Sequence, residues 1–302
     1  MVNRKSYLKE DTLEWLLEGN NPSVRYFTLT GLMGKRSDSS EVKAAKAEIM
    51  TGGPVPGILD KQNPAGYWKK PSSFYLPKYR ATVWSLSILA ELGADGNDER
   101  IKQACEYILE NSQHFESGAF SHISYKRYIY QKKKKDMESP FFSGSDIKGG
   151  SPNIIPCLTG NMLFSLIRCG YLKDPRVQKG IEWINRYQRF DDAIEQASEY
   201  FLMHHIYKRS HDLRKIAIPA WMHAGFPLSG FLAVLSVLFR LGYKDDRMQD
   251  AVDLLIKKQN KNGRWLMEAS LNSRMHVNIE KKGRESKWIT LYALSALKNF
   301  YG

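Results

Sequence analysis

Apolar residues along this chain gather in runs of two kinds. In the first kind charge is missing: residues 231–239 carry none, and 79–92 and 155–169 are nearly free of it. In the second kind apolar residues recur at helical spacing with charges between them. Val252, Leu255 and Ile256 share one face, and Asp253, Lys257 and Lys258 lie off it. Residues 98–112 and 175–187 read the same way. The two kinds alternate, and a glycine (Gly93, Gly170, Gly242) stops each charge-free run, as glycine does at a helix C-terminus. The pattern predicts a unit made of a buried helix, a tight turn and a half-buried helix.

The turns share further residues. An arginine follows each (Arg100, Arg176, Arg247), and a glutamine closes each second helix (Gln113, Gln188, Gln259). Asp245 and Asp246 stand where they would cap the next helix. An earlier glutamine, Gln62, opens a loop of similar type with Gly66 and Trp68. Self-similarity of this sort predicts stacked helical hairpins, none able to bury its apolar face alone.

Outside these units the pattern is less regular. Asp11 is the expected N-cap of a short helix ending near Leu17, and Pro22 is expected in the first turn of the next, which runs to about Met33. A capping pattern at 37–41 introduces an alanine-rich helix, and the Gly/Pro cluster at 51–57 breaks the chain before one helical turn at 58–61. Residues 121–152 form the longest interruption and include the lysine run 132–135, read either as a solvated basic loop or as an anion-attracting lid. Residues 191–215 have no clear period. A last apolar helix covers 284–297, with its partner expected near the N-terminus.

Composition narrows the class. With 42% hydrophobic and 12% aromatic residues, the 302-residue chain has ample material for a core. The net charge of +13 suits solubility, a basic face, or contact with a membrane surface or a diphosphate, while no nucleic-acid module is visible. Three cysteines without a CxxC pair, and a start without an apolar signal core, fit a cytoplasmic protein. Residues 216–239 lack charge over a length that could span a bilayer, but Pro219, Gly225, Pro227 and Gly230 interrupt them. A loop followed by a buried helix is the better reading.

The loops Gln62-Asn-Pro-Ala-Gly66-Tyr-Trp68 and Gln259-Asn-Lys-Asn-Gly263-Arg-Trp265 match the QxxxGxW repeat, with a degenerate copy at Gln113, Gly118 and Phe120. They resemble the squalene–hopene cyclases and related prenyltransferase α/α toroids. The segments 156–161, 224–227 and 286–290 resemble the small stand-alone prenyltransferase/squalene oxidase repeat proteins. The resemblance implies an all-α fold, a single α/α-toroid domain over 1–302 with five or six hairpins. It also implies an apolar, isoprenoid-type ligand in a central cavity. In this reading Gln62, Trp68, Gln259 and Trp265 are clasps between hairpins rather than catalysts. A non-enzymatic helical-repeat scaffold is the alternative from a different class.

The chemistry the family uses is harder to find. The DxDD acid motif of protonating cyclases is absent, and the nearest strings, at 173–176 and 243–246, lie in turns where capping explains them. Asp191 and Asp192 could share a proton and act as an acid. With Glu195 they form a loose DDxxE able to hold Mg²⁺. Asp191, Cys157, His204 and His205 are the residue types that bind Zn²⁺ in prenyltransferases of this fold. Asp191, Asp192, His204 and His205 are therefore the catalytic candidates. Trp84, Cys157, Asn161, Trp221, Phe226 and Trp288 are the candidates to line a ligand cavity, where aromatic rings would stabilise cations; core packing is the plainer alternative.

Overall fold

The computed structural model describes residues 9–122, 154–188 and 190–302. Within these, the side chains of residues 10, 187, 188 and 190–193 are not described. Twelve helices are present among the described residues: α1 Glu10–Leu17, α2 Pro22–Phe27, α3 Ser40–Glu48, α4 Pro54–Leu59, α5 Thr82–Glu91, α6 Glu99–Asn111, α7 Pro156–Arg168, α8 Pro175–Gln188, α9 Phe190–Met203, α10 Gly230–Arg240, α11 Gln249–Lys257 and α12 Lys287–Tyr301. A π-helical turn, Thr28–Leu32, extends α2. Among the described residues, strands are confined to a parallel pair of two-residue segments, β1 Gly225–Phe226 and β2 Ala269–Ser270. The structure is thus mostly helical, and no described helix is long and apolar enough to cross a membrane.

The chain divides into two compact units. One takes residues up to Pro54, Asp192–Ser273 and Asn278–Gly302; the other takes Val55–Asp191 and Arg274–Val277. In the first unit α12 packs on α10 and also on α1, α2 and the π-turn, so the last helix does find its partners near the N-terminus. Leu16, Val24, Leu29, Phe231, Leu235, Ile289 and Leu297 are fully buried there. In the second unit α5 packs on α6 and α7, and α7 on α8, around Leu86, Leu89, Ile101, Ile108, Met162 and Leu166.

Several boundaries depart from the sequence reading. Lys9, not Asp11, precedes α1, which puts Asp11 inside the first turn. The Gly/Pro cluster starts α4 at Pro54 instead of ending before a turn at Ile58, because Pro54 fits a first helical position. The stretch read as irregular from Asp191 contains α9. Its inward face includes Ser198, which is buried beside Leu202, so a polar residue sits where an apolar one would have completed the period. The lysine run 132–135 lies outside the described residues.

The repeated loops are clasps with a shared design. The Trp68 indole donates to Ile58 O at 2.9 Å and the Trp265 indole to Leu255 O at 2.7 Å, each ten residues upstream. The backbone N–H of the same residue is held by a threonine hydroxyl in the first turn of the next charge-free helix: Trp68 by Thr82 (3.1 Å), Phe120 by Thr159 (2.9 Å) and Trp265 by Thr290 (3.0 Å). Gln62 donates to Arg100 O, Gln113 to Arg176 O and Gly118 O, and Gln259 to Gly263 O. The indole bonds satisfy carbonyls that the last turns of α4 and α11 leave open, while Gln62 and Gln113 tie their loops to the first turns of α6 and α8.

The turn arginines have an equally regular role. In Asp98-Glu-Arg100, Asp174-Pro-Arg176 and Asp245-Asp-Arg247 the aspartate accepts the arginine amide, at 2.9, 2.8 and 2.8 Å, and its guanidinium as well. Arg176 reaches on to Glu106 of α6, and Arg247 to Glu199 of α9, each through two N–H groups. The arginine bonds hold the Asp98, Asp174 and Asp245 carboxyls below the usual carboxylate range. The aspartates are caps, as their position in the turns suggested.

Candidate functional site

Two of the charge-poor helices, α7 and α10, leave one side accessible, while α5 and α12 are buried almost all round. On α7, Cys157, Asn161, Phe164 and Arg168 make an accessible stripe at helical spacing, with Phe164 43% exposed and the Arg168 guanidinium 5.8 Å over its ring. Thus Cys157 and Asn161, two expected ligand contacts, share one face. On α5 the less buried positions are Trp84 and Ser87, and the Ser87 hydroxyl meets that of Ser165 on α7 at 3.1 Å. In the first unit α10 leaves Val234 half-buried and Val237 53% exposed, and α12 leaves Tyr292 and Ser295 half-buried.

Trp84 is already engaged within its own unit. Its indole donates to Tyr75 O at 2.9 Å, and the rings of Tyr75 and Tyr79 lie 5.0 Å from its own. The Lys78 ammonium stands 5.5 Å over the Trp84 ring and 5.3 Å over Tyr79, so this aromatic face already has its cation. Tyr79 holds a left-handed backbone (φ 69°), which a bulky residue adopts only when its surroundings impose it.

In the first unit Trp221 stacks on Phe201 of α9, with centroids 6.2 Å apart and planes 9° apart, and donates to Ile206 O at 3.0 Å. Phe226 and Trp288 meet at 4.8 Å, and Phe27 and Tyr292 lie 6.0 and 5.6 Å from Trp288. Both Phe226 and Trp288 are buried. With the half-buried Phe27 and Tyr292 at their edge, they form an aromatic cluster at the start of α12.

His204 and His205 turn to different partners. His204 Nδ1 donates to Lys208 O at 2.9 Å and its ring lies 4.6 Å from Tyr200. His205 Nδ1 meets Asp250 Oδ2 at 2.6 Å, and Lys208 Nζ meets the same oxygen at 2.6 Å. Burial pushes the Asp250 carboxyl up, but the bonds from Lys208 and His205 outweigh it and hold it low. Asp250 fixes the His205 ring through Nδ1. The backbone is left-handed at His205 (φ 42°) and Ile206 (φ 69°), which is how neighbouring rings come to diverge.

No metal centre is built here from the described residues: no three or more His, Cys, Asp or Glu side chains among them could hold an ion. Asp191 and Asp192 fall in the first turn of α9, a favourable place for negative charge beside the helix dipole, and their side chains lie outside the described ones. Glu195, the third carboxylate of the DDxxE string, is exposed.

One carboxyl escaped the sequence reading. Glu280 is in the loop before α12, where its Oε1 accepts the Lys287 amide at 2.9 Å and its Oε2 accepts the Ser286 hydroxyl. Asn272 holds that loop through Glu280 O (2.6 Å) and the Ile279 amide (3.0 Å). Burial raises the Glu280 carboxyl above its ordinary value of 4.5, against these bonds and the Lys287 charge. A carboxyl raised on folding binds its proton more tightly in the folded state. Its contribution therefore falls as pH climbs from 4.5 through the raised value. The melting temperature of Glu280→Gln is expected to gain on the wild type between pH 4.5 and 7.5, as read by circular dichroism melts. A pH-independent difference would mean that folding leaves the Glu280 carboxyl unshifted. The only hint in sequence was an acid ahead of the Ser286 cap in a lysine-rich stretch.

No family model matches the chain. No curated protein matches it either. Among solved structures it is similar to a variant of the type II terpene cyclase MstE from Scytonema in complex with merosterolic acid A. That match has 15% identity, covers 97% of this chain and 99% of that one, and has a TM-score of 0.40. MstE without ligand gives 14% identity over 92% and 87% of the two chains, with a TM-score of 0.39. An MstE variant in complex with geranylgeranyl dihydroxybenzoate gives 14%, 96%, 99% and 0.38. These are distant likenesses.

Proposed function

We propose that this protein is a terpenoid-cyclase- or prenyltransferase-like α/α toroid that takes up an apolar molecule of isoprenoid class in a central cavity. The observation that carries this reading is the half-buried state of two charge-poor helices, α7 and α10. Residues such as Val234 and Val237 on α10, and Phe164 on α7, remain accessible on helices that carry little charge. An outward helix face would ordinarily hold charged residues, so apolar accessible stripes suit an apolar ligand. The shared clasps at Trp68, Phe120 and Trp265 support the single repeated design that a toroid requires.

Ligand uptake is the core of the proposal, and the described side chains give it no metal cluster. Native mass spectrometry of the purified protein tests it by seeking a co-purified lipid or metal. Titration with farnesol, followed by tryptophan fluorescence, provides the second arm. A bound isoprenoid, or saturable quenching at micromolar farnesol, is the expected result. No bound species and no response to farnesol would favour the scaffold reading.

A further inference from the structure

The aromatic cluster at the start of α12 contains an unmet hydrogen-bond donor. Trp288 is 1% exposed, and its indole N–H is buried without a partner among the described residues. Four other tryptophans show how this chain ordinarily treats the group. The Trp68, Trp84, Trp221 and Trp265 indoles each donate to a backbone carbonyl, at 2.9, 2.9, 3.0 and 2.7 Å. A buried donor left open loses its hydration without return, so such atoms generally mark a site where something else supplies the acceptor. Around Trp288 the ring neighbours are Phe27, Phe226 and Tyr292, which makes a mainly apolar aromatic wall with few polar atoms, the Trp288 N–H among them. That composition is typical of a small-molecule site, in which few polar groups fix the orientation of a mainly apolar ligand.

The charge of the acceptor can also be read. The N-terminal amides of a helix attract anions, and α12 is long enough, at fifteen residues, to offer such a seat. Here the chain fills the seat itself. The Glu280 carboxylate takes the Lys287 amide and the Ser286 hydroxyl, and the Ser286 hydroxyl takes the Ile289 amide at 3.0 Å. Lys287 Nζ is turned away to Glu18 (2.8 Å) and Asn20 (2.6 Å). A diphosphate would meet a carboxylate at this helix start, with the Lys287 ammonium already paired.

We infer that Trp288 Nε1 binds a neutral oxygen, a hydroxyl or carbonyl, on an otherwise hydrocarbon ligand, and that this end of the ligand is seated among Phe27, Phe226 and Tyr292. The inference rests on the proposed uptake of an isoprenoid and adds to it the polar group the site selects. Trp288 orients the ligand and transfers no proton.

Farnesol, farnesene and farnesyl diphosphate, titrated into the wild-type protein and Trp288→Phe, provide the test. Farnesol is expected to bind about tenfold more tightly than farnesene to the wild type, the effect of one hydrogen bond in a dry site, and the advantage should vanish in Trp288→Phe. Farnesyl diphosphate should bind more weakly than farnesol. In the wild-type protein with ¹⁵N-labelled indoles, farnesol should move the Trp288 N–H resonance downfield, a readout that needs no variant to fold. Equal affinity for farnesol and farnesene, or an unmoved Trp288 resonance while farnesol binds, would overturn the inference and leave isoprenoid uptake standing. Failure of all three probes to bind would overturn both.

Discussion

Replacing Trp265 with alanine is expected to destabilise the protein by about 3–5 kcal/mol, the range found for deleting a buried aromatic side chain. Trp265 is 1% exposed, and its indole bonds Leu255 O at the end of α11. Its backbone is tied to Thr290 in α12, so the ring joins one hairpin to the helix that follows. Trp265→Phe should recover most of the loss, since the ring stays and one hydrogen bond, worth about 1 kcal/mol, is removed. Urea unfolding followed by far-UV circular dichroism reads both values. If alanine and phenylalanine cost the same, the clasp would depend on the indole N–H and not on buried ring area.

Gly66→Ala is the second large effect. Gly66 has a left-handed backbone (φ 89°), and an added Cβ would lie 2.4 Å from Gln103 O and 2.7 Å from its carbonyl carbon. Both contacts are to the backbone of α6, which cannot rotate away. The left-handed conformation costs about 1–2 kcal/mol for an L-residue, and forcing packed backbone apart costs about 1–3 kcal/mol more. Gly170 is the matched control. Its φ is 92°, yet nothing lies within 4 Å of the added carbon. Gly170→Ala should therefore lose only the conformational share. Urea midpoints for the two variants give the difference directly, and equal midpoints would mean that α6 yields to the added methyl.

Much of this architecture could be read from residue patterning. The charge-free stretches became α5, α7 and α10, the closing apolar stretch became most of α12, and the turn glycines Gly93, Gly170 and Gly242 do take left-handed backbones. These features are local, set by helix period and by the conformations only glycine takes easily. The threonines of the clasps were not legible. Thr82 follows Trp68 by 14 residues and Thr290 follows Trp265 by 25, so loop length hides their common role. Glu106 and Glu199 were missed for the same reason, since each meets its arginine across a long stretch of sequence. At the candidate site, the residue types at Trp84, Cys157, Asn161, Phe226 and Trp288 pointed to the charge-free helices and their approaches. Which indole lacked a partner, and which carboxyl was buried, depended on neighbours from distant parts of the chain.

The placement of α12 on α1, α2 and the π-turn bears on how the protein is made. Leu16, Val24 and Leu29 need cover that includes a helix beginning at Lys287. At synthesis rates of about 5–20 residues per second, roughly 12–50 s separate emergence of the first segment from that of its cover. The second unit, drawn mainly from one continuous stretch, can collapse on the ribosome well before then. During the wait α1 and α2 present an oily face to solvent, which makes this the stretch most open to wrong association until α12 is made.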